Sequence, residues 1–311
     1  MSSGPILVIK LGALGDFIQA LGPMAAIRAH HPSQSVTLLT SSPFETLALA
    51  SGLFDKIEID PRPKALEVGK WLSLRQILKG GQFQRVYDLQ TSDRSSWYYR
   101  LFFPGARPEW SGIASGCSHP HDNSNRDFMH TIDRQREQLE LVGLGDIPDT
   151  DLSWAKADLS KFDLAEPFAL LFPGGAPHRP AKRWPGSHFN DLARRLSDLG
   201  ITPVVLGVVS EKSLAKDTLA GIAGGRDLTG QTDLIEIATL AGKAVLAIGN
   251  DTGPMHVAAS AGCPGIVLFS DASDPKLCAP RGEKVVVIER APLDALSVDE
   301  VLEAASIVAS I

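Results

Sequence analysis

Short continuous apolar runs alternate along the chain with segments whose apolar residues recur at helical spacing. Ile6–Leu11 reads as a buried strand, Gly12-Ala13-Leu14-Gly15 interrupts it, a helical pattern runs from Asp16 to about His30, and Val36–Thr40 is a second strand. That succession is a βαβ unit, whose crossover is right-handed and whose sheet is therefore parallel. Strands buried on both faces read as uninterrupted apolar runs rather than as alternations, which is the pattern seen. Further strands are expected at Lys56–Ile59 and Arg85–Leu89. Ser92–Arg126, rich in Ser, Gly, Pro, His and Asn, reads as irregular loops with a short helix, and a polar helix follows near Thr131–Val142.

A second alternation follows. Phe168–Phe172 is a strand ending in Pro173-Gly174-Gly175, and Ser187–Leu199 is a helix stopped by Gly200. Strands are expected at Pro203–Leu206, Ala244–Ile248, Gly265–Phe269 and Val285–Ile288, and helices at Glu211–Ala220, Asp233–Gly242 and Pro254–Ala261. A last helix opens with Ser297 three residues before Glu300, a capping-box pattern. Two separate blocks of this kind predict an α/β protein of two doubly wound domains. The boundary is expected between residues 155 and 165, giving domains 1–157 and 158–311.

Composition narrows the function. The 311 residues suffice for two domains, and 44% apolar with 21% charged residues is an ordinary soluble composition. A net charge of -6 argues against a general nucleic-acid binder. No apolar run reaches the ~18–20 residues of a membrane helix, and the start, Met1-Ser2-Ser3-Gly4-Pro5, lacks the pattern of a secretory leader. Cys117, Cys263 and Cys278 fit neither a metal-ligand spacing nor a disulfide framework. The expectation is a cytoplasmic enzyme.

Three strand-to-helix loops carry the candidate chemistry. Gly12-Ala13-Leu14-Gly15-Asp16 lacks the third glycine of a dinucleotide fingerprint, and the second strand ends Leu39-Thr40-Ser41-Ser42 without a carboxylate, so NAD binding is disfavoured. Asp16 is either a helix cap or a general base at the carboxyl end of a strand. Pro173–Pro185 gathers Arg179, Lys182 and Arg183 beside glycines without forming a Walker loop; it suits a phosphate-bearing ligand or is simply a solvated basic loop. In Gly249-Asn250-Asp251-Thr252-Gly253-Pro254-Met255-His256, Pro254 suits a first helical turn, and the free N–H groups with Thr252 make an anion pocket. Taken singly, Asp251 reads as a cap and His256 as a packed helix histidine.

Together, Gly-x-x-Gly-Asp at 12–16, Lys182-Arg183-Trp184-Pro185 and the Asn250–His256 run resemble glycosyltransferase family 9, the heptosyltransferases of lipopolysaccharide core assembly, over essentially the whole chain. The Asn-Asp-Thr-Gly-x-x-His run is the most specific of the three. The resemblance implies a GT-B fold, two Rossmann-like domains facing across a cleft. It implies an ADP-heptose donor bound mostly by the C-terminal domain, an acceptor on lipid A–Kdo bound mostly by the N-terminal domain, and inverting transfer with no metal and no cofactor. Position by position, Asp16 matches the catalytic carboxylate and Lys182 the lysine on the donor diphosphate. Asp251, Thr252 and Gly253 match the donor-binding turn, His256 the histidine on its helix, and Glu211, in a looser alignment, the acidic residue on the ribose. Where many members read Gly-Pro-Thr-Asp-Pro, this chain reads Ser270-Asp271-Ala272-Ser273-Asp274-Pro275, which bears on the donor sugar.

An inverting displacement needs a base on one face of the anomeric carbon and charge stabilisation for the leaving diphosphate on the other. Asp16 supplies the first in this reading, and Lys182 with the helix start at Thr252 and Gly253 the second. For an anionic acceptor, residues 61–110 hold nine basic against four acidic residues in an acidic chain. Gly15 and the Arg62-Pro63-Lys64 loop are the expected acceptor contacts, although charges scattered over a surface give the same count. Trp97-Tyr98-Tyr99 and Leu101-Phe102-Phe103 are expected in the core, with lipid contact as the alternative. Peripheral association with the cytoplasmic face of the inner membrane accompanies this reading. Other readings stay open: a GT-B transferase or epimerase using a different nucleotide sugar, and a non-catalytic nucleotide-sugar binding protein.

Overall fold

The computed structural model describes residues 4–176 and 178–309; Met1, Ser2, Ser3, Pro177, Ser310 and Ile311 lie outside the described residues. The chain forms two compact units, Met1–Thr150 and Asp151–Ile311. The division falls a few residues ahead of the expected boundary. The segment after Thr150 is committed to the second unit by Leu152, whose N–H donates to the Ser260 carbonyl (2.7 Å), and by Ala155, whose carbonyl accepts from Thr239 Oγ1 (3.4 Å).

The first unit comprises β1 (Ile6–Ile9), α1 (Leu14–Gln19), α2 (Leu21–His30), β2 (Val36–Thr40), α3 (Glu45–Ala50), β3 (Lys56–Ile59), α4 (Val68–Gly80), β4 (Arg85–Asp88), α5 (Asp93–Tyr98), β5 (Glu109–Gly112), β6 (His119–Pro120) and α6 (Thr131–Glu140). All strand pairs are parallel, in the order β3-β2-β1-β4-β5-β6. The helix expected over Asp16–His30 is two helices. Pro23 has no N–H to give the Gln19 carbonyl and its ring crowds that group, so the first helix stops there and the second resumes from Ala20, whose carbonyl accepts from Met24 (2.9 Å). The stretch expected to be irregular between Ser92 and Arg126 holds α5 and the two outer strands β5 and β6. One side of the sheet packs Leu7, Ile9, Leu74, Leu78, Tyr98 and Trp110 into a core.

The second unit comprises β7 (Phe168–Phe172), α7 (Gly186–Asp198), β8 (Thr202–Val205), α8 (Lys212–Thr218), β9 (Arg226–Asp227), α9 (Leu234–Ala241), β10 (Leu246–Asn250), α10 (Gly253–Ser260), β11 (Gly265–Phe269), α11 (Pro275–Cys278), β12 (Val285–Glu289) and α12 (Val298–Val308). Its parallel sheet runs β12-β11-β10-β7-β8-β9, which read from the other edge is the strand order of the first unit. The capping box of α12 is made as expected, Ser297 N–H donating to Glu300 Oε2 (3.0 Å) and Glu300 N–H to Ser297 Oγ (3.3 Å). Each sheet reverses its winding between its two central strands, β1 and β4 in one and β7 and β10 in the other. Crevices outside the carboxyl ends of such strands are where open α/β sheets bind ligands.

Candidate active site

At the first switch point, β1 runs into Gly12, whose φ of +122° is a conformation suited to glycine; a Cβ there would stand 3.0 Å from the Phe44 ring. Phe44 stacks on Phe17 of α1 at 4.6 Å between centroids, which seats that short helix. Gly15 and Asp16 are half-buried residues of α1. The Ala13 N–H points to Asp16 Oδ2 at 3.3 Å, so one carboxylate oxygen does cap the helix start.

Beneath this loop lie ionisable groups that sequence reading did not single out. Lys10 is buried, and its Nζ donates to the Leu89 carbonyl (3.2 Å). Burial pulls its ammonium down to about 8, reinforced by Arg134 and Arg126 and opposed by Asp16 and Asp88. Asp88, fully buried at the end of β4, accepts from the N–H groups of Gln90 (3.1 Å) and Thr91 (3.0 Å). Burial pushes its carboxyl up to about 6 despite those bonds and the charge of Lys10. The available signals were a lysine ending an apolar run and an aspartate ending a strand.

Arg62 and Lys64 are exposed on either side of buried Pro63. Arg62 has φ +45°, and its N–H donates to Asp60 Oδ1 (2.8 Å). Asp60 is itself buried and accepts from Tyr98 (2.7 Å). Lys64, with Pro63, Trp71, Arg94, Trp97 and Leu101, lines an open groove of about 690 Å³; Arg62 is not part of its lining. The aromatic run divides: Tyr98, Tyr99 and Phe102 are core, while Trp97 and Phe103 are exposed.

At the second switch point the structure brings the other predicted residues together. Lys182, in the loop after β7, pairs with Asp251 after β10 at 2.5 Å between Nζ and Oδ2, both side chains largely buried. Ser273, in the loop after β11, donates from Oγ to the same oxygen (2.7 Å). Three strand ends thus converge on one carboxylate. Asn250 ties the same loops: its Nδ2 donates to the carbonyls of Pro173 (2.9 Å) and Gly174 (3.1 Å), and its Oδ1 accepts from the Trp184 N–H (2.9 Å). Trp184 is buried and donates from Nε1 to the Leu296 carbonyl (2.9 Å), so it pins the loop to the core.

Glu211 reaches back to this loop, accepting from the N–H groups of Gly175 (3.1 Å) and Val208 (3.0 Å). A carboxylate has about four lone-pair sites, which leaves capacity for hydroxyl donors. Room for it is made by Gly174 and Gly207, where added Cβ atoms would stand 2.1 and 2.6 Å from its oxygens. Thr252 is the N-cap residue of α10, but its side chain makes no cap bond, and Gly253 and Pro254 open the helix behind it. His256 is buried in α10. The arrangement offers a cation, a helix N-terminus and a carboxylate at the carboxyl end of one sheet, a set that suits a nucleoside diphosphate. Among the described residues, no three His, Cys, Asp or Glu side chains gather to hold a metal ion, and no helix is long and apolar enough to cross a membrane.

Comparison with known proteins identifies the family. The family model for glycosyltransferase family 9 (heptosyltransferase) matches residues 71–297. Lipopolysaccharide heptosyltransferase 2 of Escherichia coli K12 is 27% identical over 91% of this chain and 87% of its own. The lipopolysaccharide core heptosyltransferase OpsX of Haemophilus influenzae is 22% identical over 85% and 78%. Among solved structures, E. coli ADP-heptose lps heptosyltransferase II superposes with a TM-score of 0.81 at 21% identity, covering 98% of both chains. A family 9 glycosyl transferase from Veillonella parvula does so with 0.84 at 20%, over 98% and 97%. These structures share the GT-B fold. With its family model matched from α4 to the start of α12, the chain belongs to glycosyltransferase family 9, the heptosyltransferases, and is a glycosyltransferase.

Proposed function

We propose that this enzyme is an inverting, metal-independent transferase that moves a heptose from ADP-heptose to the lipopolysaccharide inner core. The observation that carries the reading is the convergence of Lys182, Asp251 and the start of α10 at the second switch point, with Glu211 beside the same loop. In this reading the C-terminal unit, Asp151–Ile311, holds the donor. Lys182 and the N–H groups at Thr252 and Gly253 meet the diphosphate, Glu211 the ribose hydroxyls, and His256 backs the turn from within α10. As the diphosphate leaves, its growing charge is met by a fixed cation and a helix terminus, the task a divalent metal performs in other transferases.

The N-terminal unit, Met1–Thr150, binds the lipid A–Kdo acceptor through Gly15, Arg62 and Lys64. Asp16 takes the proton of the attacking hydroxyl. The acceptor is a membrane glycolipid, so the enzyme works at the cytoplasmic face of the inner membrane.

A panel of nucleotide sugars in a thermal-shift assay, followed by transfer assays in excess EDTA, tests this. ADP-heptose should raise the melting temperature most, and transfer should survive chelation. Stabilisation by UDP- or GDP-sugars instead would point to another GT-B activity. Loss of transfer on chelation, restored by Mg²⁺, would overturn the metal-independent mechanism.

A further inference from the structure

One flank of α4 leaves large apolar side chains in water. Val68, Leu72, Arg75 and Lys79 recur at helical spacing along one flank of it, beside the buried Leu74 and Leu78, with the two cations half-buried. Val68 is 65% and Leu72 62% exposed. Leu66, in the turn that leads into the helix, is 93% exposed, and Phe103 is 67% exposed. Phe103 belongs to the same face, because Arg75 donates to its carbonyl (3.2 Å) and Lys79 to that of Pro104 (2.8 Å). The helix carries three basic residues and no acidic one.

From this face we infer a docking surface for an anionic phospholipid bilayer, with Leu66, Leu72 and Phe103 entering the headgroup layer and Arg75 and Lys79 held at its plane. Large apolar side chains interspersed with cations on one helix face are the arrangement that binds acidic lipid surfaces. Glu67, the acidic residue next to it in sequence, is already engaged by Lys70 (3.0 Å) and by the Lys64 N–H (2.8 Å). A second copy of the chain is a poor occupant, since a two-fold contact would set this basic face against itself. The groove holding Lys64 opens beside α4 through Trp71, so a glycolipid standing in the bilayer would offer its sugar there.

The inference rests on the proposed glycolipid acceptor but is separable from it by experiment. Sedimentation of the full-length protein with vesicles of phosphatidylcholine alone, or with phosphatidylglycerol added, measures docking with no donor or acceptor present. Binding should require phosphatidylglycerol and weaken as salt rises. The variant Leu66→Ser/Leu72→Ser/Phe103→Ser should bind more than about tenfold more weakly, and Arg75→Gln/Lys79→Gln should also bind more weakly. Both should keep the wild-type melting temperature and transfer rate on a deacylated, water-soluble acceptor. Failure of the wild type to bind anionic vesicles, or undiminished binding by the variants, overturns the docking surface. Concentration-dependent dimerisation lost in the variants overturns it in favour of self-association. Vesicle binding without transfer to the soluble acceptor would instead count against the proposed reaction.

Discussion

Lys182 and Asp251 stand 69 positions apart in sequence, yet their charged atoms lie 2.5 Å apart with Ser273 braced against the same carboxylate oxygen. The lysine proposed to meet the donor is therefore held in advance by a carboxylate. Preorganisation of this kind spares the cost of fixing a four-carbon side chain when ligand binds.

Lys182→Ala should lower kcat/KM about 100-fold through loss of a charge aimed at the leaving group. Asp251→Asn, which keeps the lysine but loosens it, should raise the donor KM more than it lowers kcat. Measured as a double-mutant cycle on donor affinity, the pair should show a coupling of about 1–3 kcal/mol. Additive effects would mean that the two side chains act independently.

Asp16 separates two roles on one variant. Asparagine keeps an oxygen for the Ala13 N–H but cannot take a proton. Asp16→Asn should therefore leave melting temperature and donor affinity unchanged while kcat falls ~10²–10⁴-fold. Near-normal turnover would reduce Asp16 to the helix cap that its contact with Ala13 already makes it.

Asn250→Ala should be a folding lesion rather than a chemical one. The side chain is fully buried and joins Pro173, Gly174 and Trp184 through three hydrogen bonds. Its removal leaves those backbone groups unmet, at a cost of about 2–4 kcal/mol, which chemical denaturation would register.

His31 gives the acid side of the stability curve a shape. Its ring is buried, its Nε2 lies 2.8 Å from the Tyr87 hydroxyl, and burial holds its pKa at about 4. The unfolded chain takes up this proton near pH 6.5, so the group's contribution is present above that pH and is lost as pH falls toward 4. His31→Gln should flatten the decline in melting temperature between pH 6.5 and 4; an unchanged profile would show that His31 does not titrate there.

Much of the fold was legible because buried parallel strands are written as unbroken apolar runs, as in Ile6–Ile9, Phe168–Phe172 and Gly265–Phe269. Helix α4 escaped notice because Val68 and Leu72 put apolar residues on its outer face and blur the 3.6-residue period. Strands β5 and β6 are too short and too polar to announce themselves. Asp16 in the first unit, and Lys182 and Asp251 in the second, stand at strand-to-helix loops that the sequence marks with glycine. The burial of Lys10 and Asp88 at neighbouring strand ends, the brace from Ser273 and the tie through Asn250 depend on which strands become neighbours, and that is decided by sheet order.

Gly174 and Gly207 put the Glu211 carboxylate where only the absence of two methyl groups lets it be. In the proposed reading, recognition of the ribose at that corner is stored partly as vacant volume. Alanine at either position would evict Glu211 while leaving every charge and hydrogen-bonding side chain of the protein in its sequence. A survey of variants confined to polar residues would pass over two of the positions on which that corner most depends.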